Sequence, residues 1–210
     1  MKFYGEDRKV EKIINKDFDV IIRNHKVMLS APHAVNQIRN GKIKKYEEKT
    51  RKIVERVARN TDSCCIYKTK CLEDDANYDE YSYYRKYCSN VVKKERIKAF
   101  LDIHGMSSKR AQDICISIND GNNINHRQDI LEHVIAIFKN DGFANVTIDT
   151  PFSATRKSCV STYIHNECNI IAFQIEINYK YRSKKYKEYD LDGIITTLSK
   201  IVKYLDLCIE

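Results

Sequence analysis

A chain of 210 residues, 42% of them hydrophobic, is long and apolar enough for one real core, so a disulfide- or metal-stapled miniature is excluded. Its 37 basic against 29 acidic residues give a net charge of +8, which admits nucleic acid or a small anionic substrate without choosing between them. No apolar stretch approaches the roughly 20 residues of a membrane span, and Met1-Lys2-Phe3-Tyr4-Gly5-Glu6-Asp7-Arg8 lacks a signal-peptide core. The expectation is therefore one cytoplasmic domain over 1–210.

In chain order, 19–22 and 27–31 read as strands around the turn 23–26. Ile53, Val54 and Val57 make an apolar stripe that predicts a helix over 44–59. Residues 64–69 form a short strand, and 79–98 are mostly helical with Val91 and Val92 inward. The run 100–104 is apolar on both faces, as a central parallel strand requires. A strand over 114–118, a helix over 126–140, a strand over 146–149 and a helix over 158–166 follow. A second central strand covers 170–177, and an amphipathic helix over 191–208 closes the chain. Strands alternating with helices define an α/β fold: a single domain whose mixed, largely parallel sheet is flanked by helices.

Three of these strands deliver metal-type side chains. Val27-Met28-Leu29-Ser30-Ala31-Pro32-His33 ends on a histidine, and Ala99-Phe100-Leu101-Asp102-Ile103-His104-Gly105 repeats the placement. Ile170-Ile171-Ala172-Phe173-Gln174-Ile175-Glu176 carries a carboxylate among apolar neighbours. Ligands of open α/β sheets bind at the carboxyl ends of the strands, so two imidazoles and a buried Glu there point to a catalytic zinc. Such a site takes three protein ligands and keeps one position for water. Glu47 and Glu48 are the available third ligands, and periodicity does not separate them. Asp102, two residues before His104, shares its sheet face and is placed to hydrogen-bond an imidazole. Glu176 is the expected general base, its pKa raised by burial; the alternative is a buried ion pair with Arg182.

Arg39, after His33, and then Arg156 are the expected cations for an oxyanion or a substrate carboxylate. In the polar loop 74–78, Asn77 is the expected substrate contact. His25, His126, His133 and His165 lack a comparable context. The cysteines, Cys64, Cys65, Cys71, Cys88, Cys115, Cys159, Cys168 and Cys208, contain no C-x-x-C pair, so they are expected to be free thiols packed as small apolar side chains. Tyr179-Lys180-Tyr181-Arg182-Ser183-Lys184-Lys185-Tyr186-Lys187 interleaves cations and aromatic rings as a single-stranded nucleic-acid groove does, which keeps a basic nucleic-acid-binding module as the rival reading.

These residues resemble the N-formylglutamate amidohydrolase family, whose fold is related to the zinc carboxypeptidases. The resemblance rests on Ser30-Ala31-Pro32-His33-Ala34, Glu47-Glu48-Lys49-Thr50, Asp75-Ala76-Asn77-Tyr78, Leu101-Asp102-Ile103-His104-Gly105 and Gln174-Ile175-Glu176-Ile177-Asn178, in that order. It implies zinc held by His33, an acidic residue and His104, with Glu176 as base. The acidic-x-x-Thr pattern favours Glu47 over Glu48. Residues 34–36 and 151–156 depart from the glycine-rich stretches of that family. Phage poly-γ-glutamate hydrolases are similar at the same metal-binding positions. The implied activity is hydrolysis of an amide in an N-acyl amino acid or glutamyl-type peptide; a relative that binds metal without catalysis is the other alternative.

Overall fold

Apolar runs of four to eight residues separated by amphipathic helices leave the chain one way to bury both, a sheet covered on each face. The computed structural model describes residues 10–72, 74–186 and 190–209. The charged start 1–8 and Lys187 of the basic strip lie outside the described residues. Eight strands form one sheet: β1 (Glu11–Ile14), β2 (Phe18–Ile22), β3 (His25–Ala31), β6 (Ser63–Lys68), β7 (Ala99–Met106), β8 (Ile114–Ser117), β9 (Val146–Ile148) and β10 (Ile171–Asn178). Their order is β1-β2-β6-β3-β7-β10-β8-β9. The central strands β6, β3, β7 and β10 run parallel; β2 and β8 pair antiparallel with them, β1 antiparallel with β2, and β9 parallel with β8. A small hairpin, β4 (Gln37–Arg39) with β5 (Lys42–Lys44), stands apart from it.

Helices α1 (Thr50–Asn60), α3 (Gln128–Asn140) and α5 (Leu191–Cys208) cover one face, packed on Leu29, Leu101, Phe173 and Ile175. Helices α2 (Tyr83–Lys94) and α4 (Val160–Cys168) cover the other, packed on Met28, Phe100 and Ala172. Each of the larger ones, Leu, Ile, Met or Phe, contributes about 1.5–3 kcal/mol when fully buried. That second face changes character along its strands. On β7 it reads Phe100, Asp102, His104, and on β10 Ala172, Gln174, Glu176, so the core gives way to polar groups at the carboxyl edge.

The fold class is the one the sequence implies, with local differences. The helix expected over 44–59 begins at Thr50, because Asn40 (φ 52°) and Gly41 (φ 70°) close a hairpin that takes up the chain to Lys44. Asn-Gly between Ile38 and Ile43 is a hairpin signal in its own right. The helix expected over 79–98 is limited to Tyr83–Lys94, with Ser82 accepting a capping hydrogen bond from the Arg85 N–H. Strand β1, Glu-Lys-Ile-Ile and mostly exposed, carries no apolar alternation to announce it. No described helix is long and apolar enough to cross a membrane.

All eight cysteines are unpaired, and five of them, Cys64, Cys65, Cys88, Cys115 and Cys159, are buried. Burial pushes the Cys65 thiol up to about 12. Thiol titration of unfolded, unreduced protein is expected to count most of the eight; a count near zero in freshly purified protein would overturn this.

Candidate metal centre

The carboxyl ends of β3, β7 and β10 meet at one edge, and their polar side chains converge there. His33 follows β3 by two residues, beyond Pro32, and is 1% exposed. Its Nε2–H donates to Asp75 Oδ1 at 2.9 Å. His104, inside β7, donates from Nε2–H to Asp102 Oδ2 at 2.9 Å. A carboxylate behind each ring orients it and makes Nδ1 the nitrogen that faces the cluster. The two Nδ1 atoms face each other at 3.1 Å. Glu47 closes the cluster, with Oε1 2.8 Å from His33 Nδ1 and Oε2 3.2 Å from His104 Nδ1.

Two imidazole nitrogens and an anionic carboxylate at such distances need positive charge among them, and Lys44 Nζ, 3.2 Å from His33 Nδ1 and 3.4 Å from Glu47 Oε1, supplies part of it. Two imidazole nitrogens and one carboxylate oxygen also make a donor set used by catalytic zinc. The surrounding charges point the same way. Burial disfavours a charged His104, yet the Asp102 and Glu47 carboxylates outweigh it and hold the imidazole well above its usual range. Burial likewise opposes ionisation of Glu47, and His33 and His104 overcome it, keeping the carboxyl well below its ordinary value. The pocket therefore favours positive charge at its centre, and the residues fit a divalent metal.

Glu47 lies in the turn before α1, not on the helix as the sequence suggested. Its N–H donates to the His33 carbonyl at 2.9 Å, and the Gly105 N–H donates to Glu47 Oε2 at 2.9 Å. The members of the cluster are thus tied to one another through backbone N–H groups. Glu48 turns away and accepts from the Tyr179 hydroxyl at 2.8 Å.

Glu176 pairs with His104 in the β7–β10 register, so both side chains leave the sheet side by side. It is 6% exposed and opens onto a cleft of about 510 Å³ shared with His33, Glu47 and His104. Burial, reinforced by Glu47 and opposed by the nearby histidines and Lys44, pushes its carboxyl up to about 7. Its hydrogen bond comes from Gln174 Nε2, at 3.1 Å. Among the described residues it forms no ion pair with Arg182.

The other expected residues divide. Arg39 lines the cleft, but its Nε and Nη2 both donate to Asp75 Oδ2, at 2.9 and 2.7 Å, so its fork supports the carboxylate behind His33. Asn77 also lines it, with Oδ1 accepting from the Val160 N–H at the start of α4 and Nδ2 turned to Gln174. Arg156 stacks 5.2 Å from the Tyr78 ring centroid and has no side-chain hydrogen bond among the described residues. Lys44 and Arg110 were not singled out in sequence, and Asp75 was read there only as part of the polar loop 74–78 and the resemblance that includes it. Asp75, in the loop that follows β6, is fully buried, and its pKa is held well below the usual carboxylate range, burial being outweighed by His33 and Arg39. Its position past a buried parallel strand was the available signal. Lys44 Nζ lies 3.2 Å from His33 Nδ1, a proximity set by the hairpin alone. In the basic strip, Lys180 pairs with Asp113 and Arg182 is buried.

No family model matches the chain, and no curated protein matches its sequence. Solved structures do match. N-formylglutamate amidohydrolase from Ralstonia eutropha is 13% identical with a TM-score of 0.59, over 91% of this chain and 96% of that one. A bacteriophage poly-γ-glutamate hydrolase is 12% identical with a TM-score of 0.58, over 91% and 89%. A metallo-carboxypeptidase from Pseudomonas aeruginosa is 11% identical with a TM-score of 0.51, over 90% of this chain and 60% of that one. The chain is thus a single-domain α/β protein of metallo-carboxypeptidase-like fold, carrying a His-Glu-His cluster able to hold a metal. Within that class it is similar, over nearly their whole length, to the amidohydrolase and the phage hydrolase.

Proposed function

We propose that the protein is a zinc-dependent amide hydrolase acting on an N-acyl amino acid or a glutamyl-type peptide. The observation that carries this reading is a buried carboxylate, Glu176, beside a three-residue metal cluster in one cleft. Zinc held by His33, Glu47 and His104 would supply Lewis acidity toward an amide carbonyl and lower the pKa of water from about 15.7 toward roughly 7. Glu176, ionised near neutral pH, takes the proton of the attacking water and delivers it to the leaving nitrogen. Asp75 and Asp102 hold the imidazoles in place, and Arg39 holds Asp75. Arg156 and Arg110 line the same cleft and suit a substrate carboxylate.

Metal analysis of purified protein, followed by a panel of N-formyl and N-acyl amino acids and glutamyl peptides, tests the proposal. One zinc per chain and turnover of at least one such amide are expected. Absence of metal, or a zinc-loaded protein inert to the whole panel, would count against it; salt-sensitive nucleic-acid binding by metal-free protein would favour the rival. If Arg156 receives a substrate carboxylate, Arg156→Ala should raise KM about 10- to 100-fold with kcat nearly kept, the range of a lost charge-assisted hydrogen bond. An unchanged KM would remove Arg156 from substrate binding.

A further inference from the structure

Arg182 is a buried cation to which the proposed chemistry assigns no task. It is 3% exposed, and among the described residues no carboxylate lies within ion-pair distance of it. A guanidinium taken out of water is costly unless its donors are matched. Here they are matched by main-chain carbonyls. Nε donates to the Ile177 carbonyl at 3.0 Å and Nη2 to the Met106 carbonyl at 3.2 Å, while Nη1 donates to the Glu48 carbonyl.

The identity of those carbonyls is what matters. Glu48 follows Glu47, Met106 is two residues past His104, and Ile177 follows Glu176. One planar fork thus fastens the turn bearing one ligand, the strand bearing another, and the strand bearing the base. Gly105 belongs to the same arrangement. Its N–H donates to Glu47 Oε2 at 2.9 Å, and a Cβ on it would lie 2.3 Å from Arg182 Cζ. The chain therefore has no side chain where the guanidinium passes beneath the cluster. A lysine would carry the charge without three donors in fixed, diverging directions.

We infer that Arg182 is a positioning residue of the metal centre, fixing the Glu47 turn against the ends of β7 and β10 so that Glu47, His104 and Glu176 keep their mutual geometry. The inference rests on the zinc reading of His33, Glu47 and His104. Residues that orient metal ligands typically contribute 10- to 100-fold to metal affinity or activity. The interaction is made of hydrogen bonds from one rigid cation, so a free guanidinium ion should substitute for it in a variant that leaves room.

The test measures zinc affinity by competition with a chelator, which needs no substrate. Arg182→Met is expected to melt cooperatively and to bind zinc about 10- to 100-fold more weakly, with kcat falling and KM for any panel substrate kept. Arg182→Ala is expected to recover part of that affinity in millimolar guanidinium, whereas Arg182→Met, whose side chain fills the space, is not. A structural role alone would not give this selective rescue. Should Arg182→Met fail to fold, Arg182→Lys carries the measurement, with reduced affinity expected. Zinc affinity equal to wild type in the folded variant, or no response of Arg182→Ala to guanidinium, would overturn the inference. A wild-type protein that binds no zinc would overturn the metal reading and this inference together.

Discussion

Glu176→Gln should keep its zinc and lose about 10²–10⁴-fold in turnover, the usual contribution of a general base. The substitution preserves shape and the neighbourhood of Gln174 while removing basicity. Glu176 lies beside His104 in a site that pushes its carboxyl up to about 7, so the wild-type rate should rise with pH up to about that value. A bound cation draws the carboxyl down, which places the rising limb at or below pH 7. The limb should vanish in the variant. The same substitution removes a buried charge, so metal-free Glu176→Gln should melt above metal-free wild type at pH values where the wild-type carboxyl is ionised. Unchanged hydrolysis of a confirmed substrate would exclude Glu176 from proton transfer. Loss of zinc would make it a ligand and reopen the assignment of Glu47.

His104→Ala should lose the metal. It deletes one of the converging nitrogens and strips Asp102 Oδ2 of its hydrogen-bond donor. Leaving a buried carboxylate unpaired costs about 1–3 kcal/mol, more for a charged group, but the cleft gives water access to the vacated space. A lower melting temperature with the fold retained is therefore expected, together with insensitivity to chelators. Wild type, by contrast, should gain about 2.7 kcal/mol from zinc at 100 times its Kd, because only the folded chain presents the cluster. In a zinc-loaded crystal the His33 and His104 nitrogens should lie about 2.0–2.1 Å from the metal. Full metal content in His104→Ala would overturn the ligand assignment.

The legibility of this protein in its sequence follows the range of the interactions involved. Strands β3, β7 and β10 announce themselves because both faces are buried, which demands unbroken apolar runs, and any polar residue interrupting them stands out. That is why His33, Asp102, His104 and Glu176 could be named from spacing alone, and why the α/β class followed from the alternation of elements. The third member of the cluster was another matter. Glu47 and Glu48 are adjacent and chemically alike, so periodicity leaves them equal and only the resemblance at Thr50 favours Glu47; the turn before α1 points Glu47 inward and gives Glu48 to Tyr179.

What the tertiary structure alone decided is which charges meet. Arg39 is separated from Asp75 by 36 residues, Asn77 from the start of α4 by 83, and Arg182 from Glu48 by 134. Periodicity reports which face of an element is buried, but not the partner across such a separation. Arg39 was therefore expected free in the cleft and is found supporting the carboxylate behind His33. By itself the sequence determined the sheet, its carboxyl edge and the residue types waiting there, because burial writes local patterns. Their convergence into one cluster, with its supporting carboxylates, came only with the packed chain, because the geometry of a charge pair is fixed by contacts that no local pattern records.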